Sequence, residues 1–214
     1  MTPAGVSATR PVREDHLGAS TYIEKGWYLI AQGDYAGAEI ALRIALQLAP
    51  SDQRAQSLEG WAIMRQGRYD EALVILEAVL HHDPRNAMAR ANLGYVYLKK
   101  GMEQEALETL DSAMSQTHDP KAALYGNFYL GLLHSSRPAG GRAREYFEKS
   151  IALGPNFIEA YHELGRAHWN AGNTSEADRV WKAGNSANRF GLWGRRCAEA
   201  MRIACTGEEP LGFS

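Results

Sequence analysis

Two series of small residues run along the chain in step. Gly26, Gly60, Gly94, Gly131 and Gly165 are separated by 34, 34, 37 and 34 residues, and Ala38, Ala72, Ala106, Ala143 and Ala177 repeat those intervals twelve residues later. A period in this range marks a repeat array, whose units cannot bury their apolar faces alone and must stack on one another. Each unit contains two apolar-periodic stretches of about 13 residues. They are split by turns such as Gln32-Gly33-Asp34, Gln66-Gly67-Arg68 and Ala171-Gly172-Asn173, where glycine can end a helix in a left-handed conformation. The Gly and Ala series are expected where the two helices of a hairpin cross with their backbones nearly touching. Pro50, Pro84 and Pro155 close three units, because proline cannot continue a helix.

This glycine–turn–alanine–proline pattern on a 34-residue period resembles the tetratricopeptide repeat (TPR), over roughly Ala19 to Gly191. The resemblance implies an all-α, right-handed α-solenoid of five helical hairpins, at 19–52, 53–86, 87–120, 124–157 and 158–191, with residues 121–123 lengthening the first helix of the fourth. Residues 1–18 are expected to be a disordered tail. Residues 192–204 (LWGRRCAEAMRIA) form an amphipathic capping helix, and a loose tail follows to 214. Some positions depart from the pattern. His118 and Arg189 replace proline, Pro138 replaces a turn glycine, and Gly184 weakens the second helix of the fifth unit. Lys25 and Glu59 occupy an inward position held elsewhere by Leu93, Leu130 and Leu164. They are expected either to pair as ions one repeat apart or to stand as solvated stems.

The resemblance also implies that the first helix of each hairpin lines a concave groove. In this register the groove residues are Ile23, Trp27, Ile30, Trp61, Met64, Tyr95, Leu98, Phe128, Leu132, His162, Arg166 and Trp169. Trp27, Trp61 and Tyr95 recur 34 residues apart as an aromatic ladder, at a place where the family commonly has asparagine. Left exposed, such rings exceed the apolar patch usual on a soluble monomer and suit an amphipathic helix or extended apolar segment of a protein partner. The same rings could instead pack between neighbouring helices, or be covered by residues 1–18 or 205–214. Some family members grip a C-terminal carboxylate with Lys, Arg and Asn on successive groove helices. The corresponding places here hold Ile23, Trp27, Leu58 and Met88, and Asn92 alone makes no clamp. The function implied is a non-enzymatic interaction module, an adaptor or assembly scaffold; the alternative is an array that assembles with itself.

Other chemistry finds little support. The 214 residues carry a net charge of −2 with a pI near 6.4, so no basic field attracts nucleic acid. No apolar run approaches the ~20 residues needed to insert in a membrane, and the first residues lack the apolar core of a secretory signal. Cys197 and Cys205, eight residues apart, would lie about 12 Å apart on a helix, beyond disulfide reach. A cytoplasmic location is expected if the chain is unprocessed. His162 and His168 are six apart in HELGRAH and point away from each other on a helix, so no shared metal is expected. His134 and His168 fall at equivalent places and read as packed, hydrogen-bonded core histidines. Pro138-Ala139-Gly140-Gly141 lacks the GK[ST] of a phosphate loop, and there is no Gly-x-Ser-x-Gly elbow. No catalytic residue, cofactor or metal is expected.

Overall fold

The computed structural model describes residues 18–135 and 141–206. The expectations for residues 1–17, for the turn at Pro138 and for the tail beyond 206 lie outside the described residues. Among those described, the chain is eleven α-helices: α1 (Ala19–Gln32), α2 (Tyr35–Leu48), α3 (Gln53–Arg65), α4 (Tyr69–His82), α5 (Ala87–Lys99), α6 (Glu103–Gln116), α7 (Pro120–Ser135), α8 (Gly141–Leu153), α9 (Ile158–Asn170), α10 (Thr174–Ala187) and α11 (Leu192–Ala204).

Local sequence sets the boundaries. At the end of α1, Gly33 takes φ 80 and its N–H returns to the Ile30 carbonyl, a left-handed turn that a Cβ would strain. Asp34 follows at once and accepts a hydrogen bond from the Gly37 amide at 2.9 Å, so one helix is stopped and the next started within two residues. Asp52 and Asn86 cap α3 and α5 in the same way, on the amides of Ala55 and Ala89.

The hairpins close on the glycine series, though not by backbone meeting backbone. Above each glycine lies a large side chain sixteen residues on, in the second helix. A Cβ at Gly26, Gly60, Gly94, Gly131 or Gly165 would fall within 3 Å of Leu42, Leu76, Leu110, Phe147 or Trp181 respectively. All five of these side chains are fully buried, as are Ala38, Ala72, Ala106, Ala143 and Ala177.

Stacking of the hairpins produces curvature. The first helices α1, α3, α5, α7 and α9 each approach the next one directly, whereas no two second helices among α2, α4, α6, α8 and α10 come within 8 Å Cα to Cα. The array therefore bends with the first helices inside. Helix α11 packs on both α9 and α10, where a sixth first helix would lie. Gly184 makes this possible. A Cβ there would meet Tyr161 Cβ at 2.8 Å and Cys197 Sγ at 2.9 Å, so the glycine admits α11, and α10 runs through it unbroken.

One expected contact is replaced. Lys25 is exposed, and Glu59 is taken instead by Arg43 at 3.3 Å. Arg43 belongs to α2, which packs directly on α3, and it also holds Glu39 at 2.7 Å.

The glycine series yields a graded expectation. In Gly60→Ala the flexible end of Leu76, 2.9 Å from the new Cβ, can yield, and the gain in helix propensity of about 1 kcal/mol offsets the shift. In Gly165→Ala the new Cβ meets Trp181 Nε1 at 2.2 Å, on a ring pinned by its 3.0 Å bond to the His162 carbonyl. Urea unfolding should show Gly60→Ala near neutral and Gly165→Ala destabilised by about 2 kcal/mol; equal losses would refute this account.

Candidate functional site

The bend carries side chains of distant repeats onto one another across the concave side. Helices α1 and α3 have no Cα within 8 Å of α7, α9 or α11, so only long side chains cross the gap. Arg65 at the end of α3 reaches Glu159 in the first turn of α9, 94 residues away, with Nη2 donating to Oε1 at 2.9 Å and Nη1 to Oε2 at 3.3 Å. Both side chains are about nine-tenths buried. The guanidinium also lies 4.9 Å from the Tyr35 ring centroid. Burial works against its charge, but the charge and hydrogen bonds of Glu159 outweigh this and hold Arg65 above the ordinary arginine range. Trp61 on α3 meets Tyr125 on α7 edge to face at 4.8 Å, and Lys121 Nζ sits 3.6 Å above the Trp27 ring.

Between these bridges lies a cavity of about 460 Å³, walled by residues from α1 to α11 that include Tyr35, Trp61, Tyr69, Tyr95, Tyr125, Phe157, Trp193 and Arg196. Burial pushes the hydroxyls of Tyr35, Tyr95 and Tyr125 above the usual tyrosine value, so they stay neutral. Two buried donors have no acceptor, the Trp61 indole Nε1 and Asn92 Nδ2.

The groove residues expected from the sequence do gather on this inner face, but they are not an open strip. Ile23, Ile30, Trp61, Met64, Tyr95, Phe128 and His162 are 5% exposed or less. Trp27, Leu98, Leu132, Arg166 and Trp169 are half-buried. The ladder packs as Trp27 on Trp61 at 5.5 Å and Tyr95 on Tyr129 at 4.5 Å, with Phe128 against Phe157 at 4.9 Å. Bending thus folds the rings into the stack, where Tyr125, Tyr129 and Phe157 cover them. Arg166 is tied to Glu163 at 3.0 Å, and Glu163 in turn meets the buried His162 at 2.9 Å.

No group of three or more potential metal ligands occurs among the described residues. His134 stacks on Tyr146 at 5.3 Å. His168 departs from the hydrogen-bonded reading, since its buried Nδ1 has no partner. Burial raises the Cys197 thiol to about 12, which leaves it without the thiolate a nucleophile needs. No described helix is long and apolar enough to cross a membrane.

Models of the tetratricopeptide repeat match residues 23–77, 64–126 and 158–183. The chain is a TPR protein. It belongs with repeats that act as protein-interaction scaffolds. Among solved structures, the thermophilic TPR protein TTC0263 of Thermus thermophilus is 20% identical, with a TM-score of 0.73 over 86% of this chain and 100% of that one. PilF of Pseudomonas aeruginosa is 22% identical, with a TM-score of 0.64 over 89% and 85%. MamA is 26% identical, with a TM-score of 0.53 over 77% and 94%. No curated protein matches the sequence.

Several wall residues of this TPR array escape a reading confined to first helices. Tyr35 and Tyr69 open second helices, and their own 34-residue spacing is a signal that could have found them. Arg65 and Glu159 have no such signal, because 94 is not a multiple of the period and the pairing depends on the bend.

Removing one member of a buried pair strands the other charge, at a cost of about 3–5 kcal/mol. Glu159→Gln is therefore expected to lose about 3 kcal/mol in urea unfolding. The double variant Arg65→Met/Glu159→Met should recover most of that loss; no recovery would mean that the pair does more than satisfy itself.

Proposed function

We propose that this TPR protein is a non-catalytic adaptor or assembly scaffold that receives an apolar segment of a protein partner at the concave cavity. The observation that carries the reading is the cavity itself, about 460 Å³ in volume, with aromatic walls drawn from the first to the last helix. It lies in the ~300–1,000 Å³ range of binding pockets. The occupant is a short apolar segment, extended or helical.

The buried ladder supplies the rigid wall, and the reachable contacts lie at the rim. Leu192 is 56% exposed and borders the cavity, and nearby Phe190 is 84% exposed. Exposed aromatic and aliphatic groups beside a preformed cleft are the usual anchors of peptide recognition. Self-assembly would use the same rim against a second copy, and sedimentation at several concentrations separates the two.

Leu192→Glu tests the reading without disturbing the fold, since surface changes cost within about 0.5 kcal/mol. It should keep the wild-type melting curve and lose proteins that the immobilised wild-type chain retains from its native lysate. Trp61→Ala should lower stability by about 3 kcal/mol or more. Retention of the same proteins by Leu192→Glu would remove the cavity from the mechanism.

A further inference from the structure

One end of the array departs from the rest. The loop that follows each hairpin has an exposed position, filled by Ser51, Arg85, Asp119 and Asn156 in the first four repeats and by Phe190 in the fifth. The Phe190 ring is 84% exposed, and Leu192 beside it is 56% exposed. Four polar residues at equivalent places mean that stacking asks for nothing apolar there, so the ring is no requirement of the fold. Arg189, Phe190 and Arg195 also lie outside the cavity wall, to which Leu192 belongs.

The charge around this ring is of one sign. Residues 180–198 hold Lys182, Arg189, Arg195 and Arg196 and no Asp or Glu, in a chain whose net charge is −2. The cation excess is therefore local, and the remainder of the chain is net acidic. Lys182, Arg189 and Arg195 are exposed, and none of the three makes an ion pair with a described residue. Acidic groups on the neighbouring elements are engaged elsewhere. Glu159 and Glu163 on α9 are buried against Arg65 and Arg166. Glu199 on α11 pairs with Arg202, and Glu176 at the start of α10 pairs with Arg179. Asp178 stands nine residues before the last residue of α10, about 14 Å back along the helix and beyond a Debye length.

We infer that this tip docks on a bilayer surface bearing anionic headgroups, with Phe190 and Leu192 entering the interfacial layer and Lys182, Arg189 and Arg195 meeting headgroup phosphates. Basic residues are drawn to an anionic leaflet, and apolar side chains between them add burial at the headgroup boundary. Almost nothing of its own chain touches the Phe190 ring, so the tip protrudes. A headgroup layer yields to such a tip, whereas a protein would need a preformed pocket for it. Single-stranded nucleic acid could stack on Phe190 but offers Leu192 nothing. No described helix can cross a bilayer, and the contact is peripheral and reversible, as single weak anchors are. This goes beyond the groove reading and leaves the groove's occupant as it was.

The test is co-sedimentation of the full chain with vesicles of phosphatidylcholine alone and of phosphatidylcholine with about 30% phosphatidylglycerol. The anionic vesicles should bind at least about tenfold more tightly, and high salt should release the protein. Arg189→Gln/Arg195→Gln should weaken that binding about twentyfold. Phe190→Ser should weaken it about tenfold, and Phe190→Trp should retain it, since indoles favour the interface. All three variants should keep the wild-type melting curve, because the positions are exposed. Equal binding to the two vesicle types, or anionic binding that Phe190→Ser leaves unchanged, overturns the inference, as does failure to bind either. A labelled oligothymidine that binds the wild type and is lost by the same variants, while the vesicles are not bound, overturns it in favour of single-stranded nucleic acid. The vesicles contain no protein, so these outcomes leave the groove reading to the Leu192→Glu capture experiment.

Discussion

Every hairpin rests on one steric fit: a missing side chain on the first helix and a large one sixteen residues later on the second. The filler is Leu42, Leu76 and Leu110 in the first three hairpins, then Phe147 and Trp181. Each is fully buried, and burying such a side chain contributes about 1.5–3 kcal/mol. The fit fixes how closely the helices of one unit approach, and so how the next unit can stack. Because first helices meet first helices while second helices stay apart, the stack has to bend. The bend brings α3 and α9 within reach of each other's side chains.

What the bend encloses is a polar interior in an otherwise apolar stack. A buried ion pair is a weak source of net stability, since desolvation consumes most of the attraction. The Arg65–Glu159 pair has a different effect: its two-point geometry at 2.9 and 3.3 Å favours one curvature over neighbouring ones. Repeat arrays gain stability mainly between neighbours. A contact spanning 94 residues adds a constraint that nearest-neighbour stacking cannot supply. Trp61 and Asn92, each with an unpaired buried donor, show that the closed interior is held by its surroundings at some local cost.

The repeat was legible because small residues and turn glycines act locally, and their spacing survives in the chain. Gly26 to Gly165 and Ala38 to Ala177 marked the hairpins, and the first-helix register placed Trp27, Trp61, Tyr95 and Phe128 on the inner face. Their burial was not legible. Whether an inner ring faces solvent depends on curvature, which is a small rotation per unit accumulated over five units. Tyr125 and Phe157 cover the ladder only because that rotation is large. The packing role of Gly184 was not legible for a related reason. Judged against its own helix it looks like a weak point, but its neighbour is Cys197 of α11, which no local rule brings into view. The Lys25–Glu59 pairing failed because Arg43, on the intervening helix, is nearer to Glu59.

Curvature of this degree divides the labour among side chains. Residues such as Trp61 and Tyr95 serve the fold, and any ligand can only press against them. Residues at the rim, Leu192 and Arg196 among them, are partly free of structural duty and can be tuned for recognition. A flatter array would expose its ladder and bind through it, so that stability and affinity would be traded at the same positions. Here the two are spatially separated, and on the proposed reading specificity would lie with the last hairpin and α11. Their first turns border the cavity, the α11 N-cap is a glycine with no side chain to satisfy those amides, and Arg196 stands one turn further on. The cap that an array needs to cover its final apolar face thereby also forms part of the cavity wall.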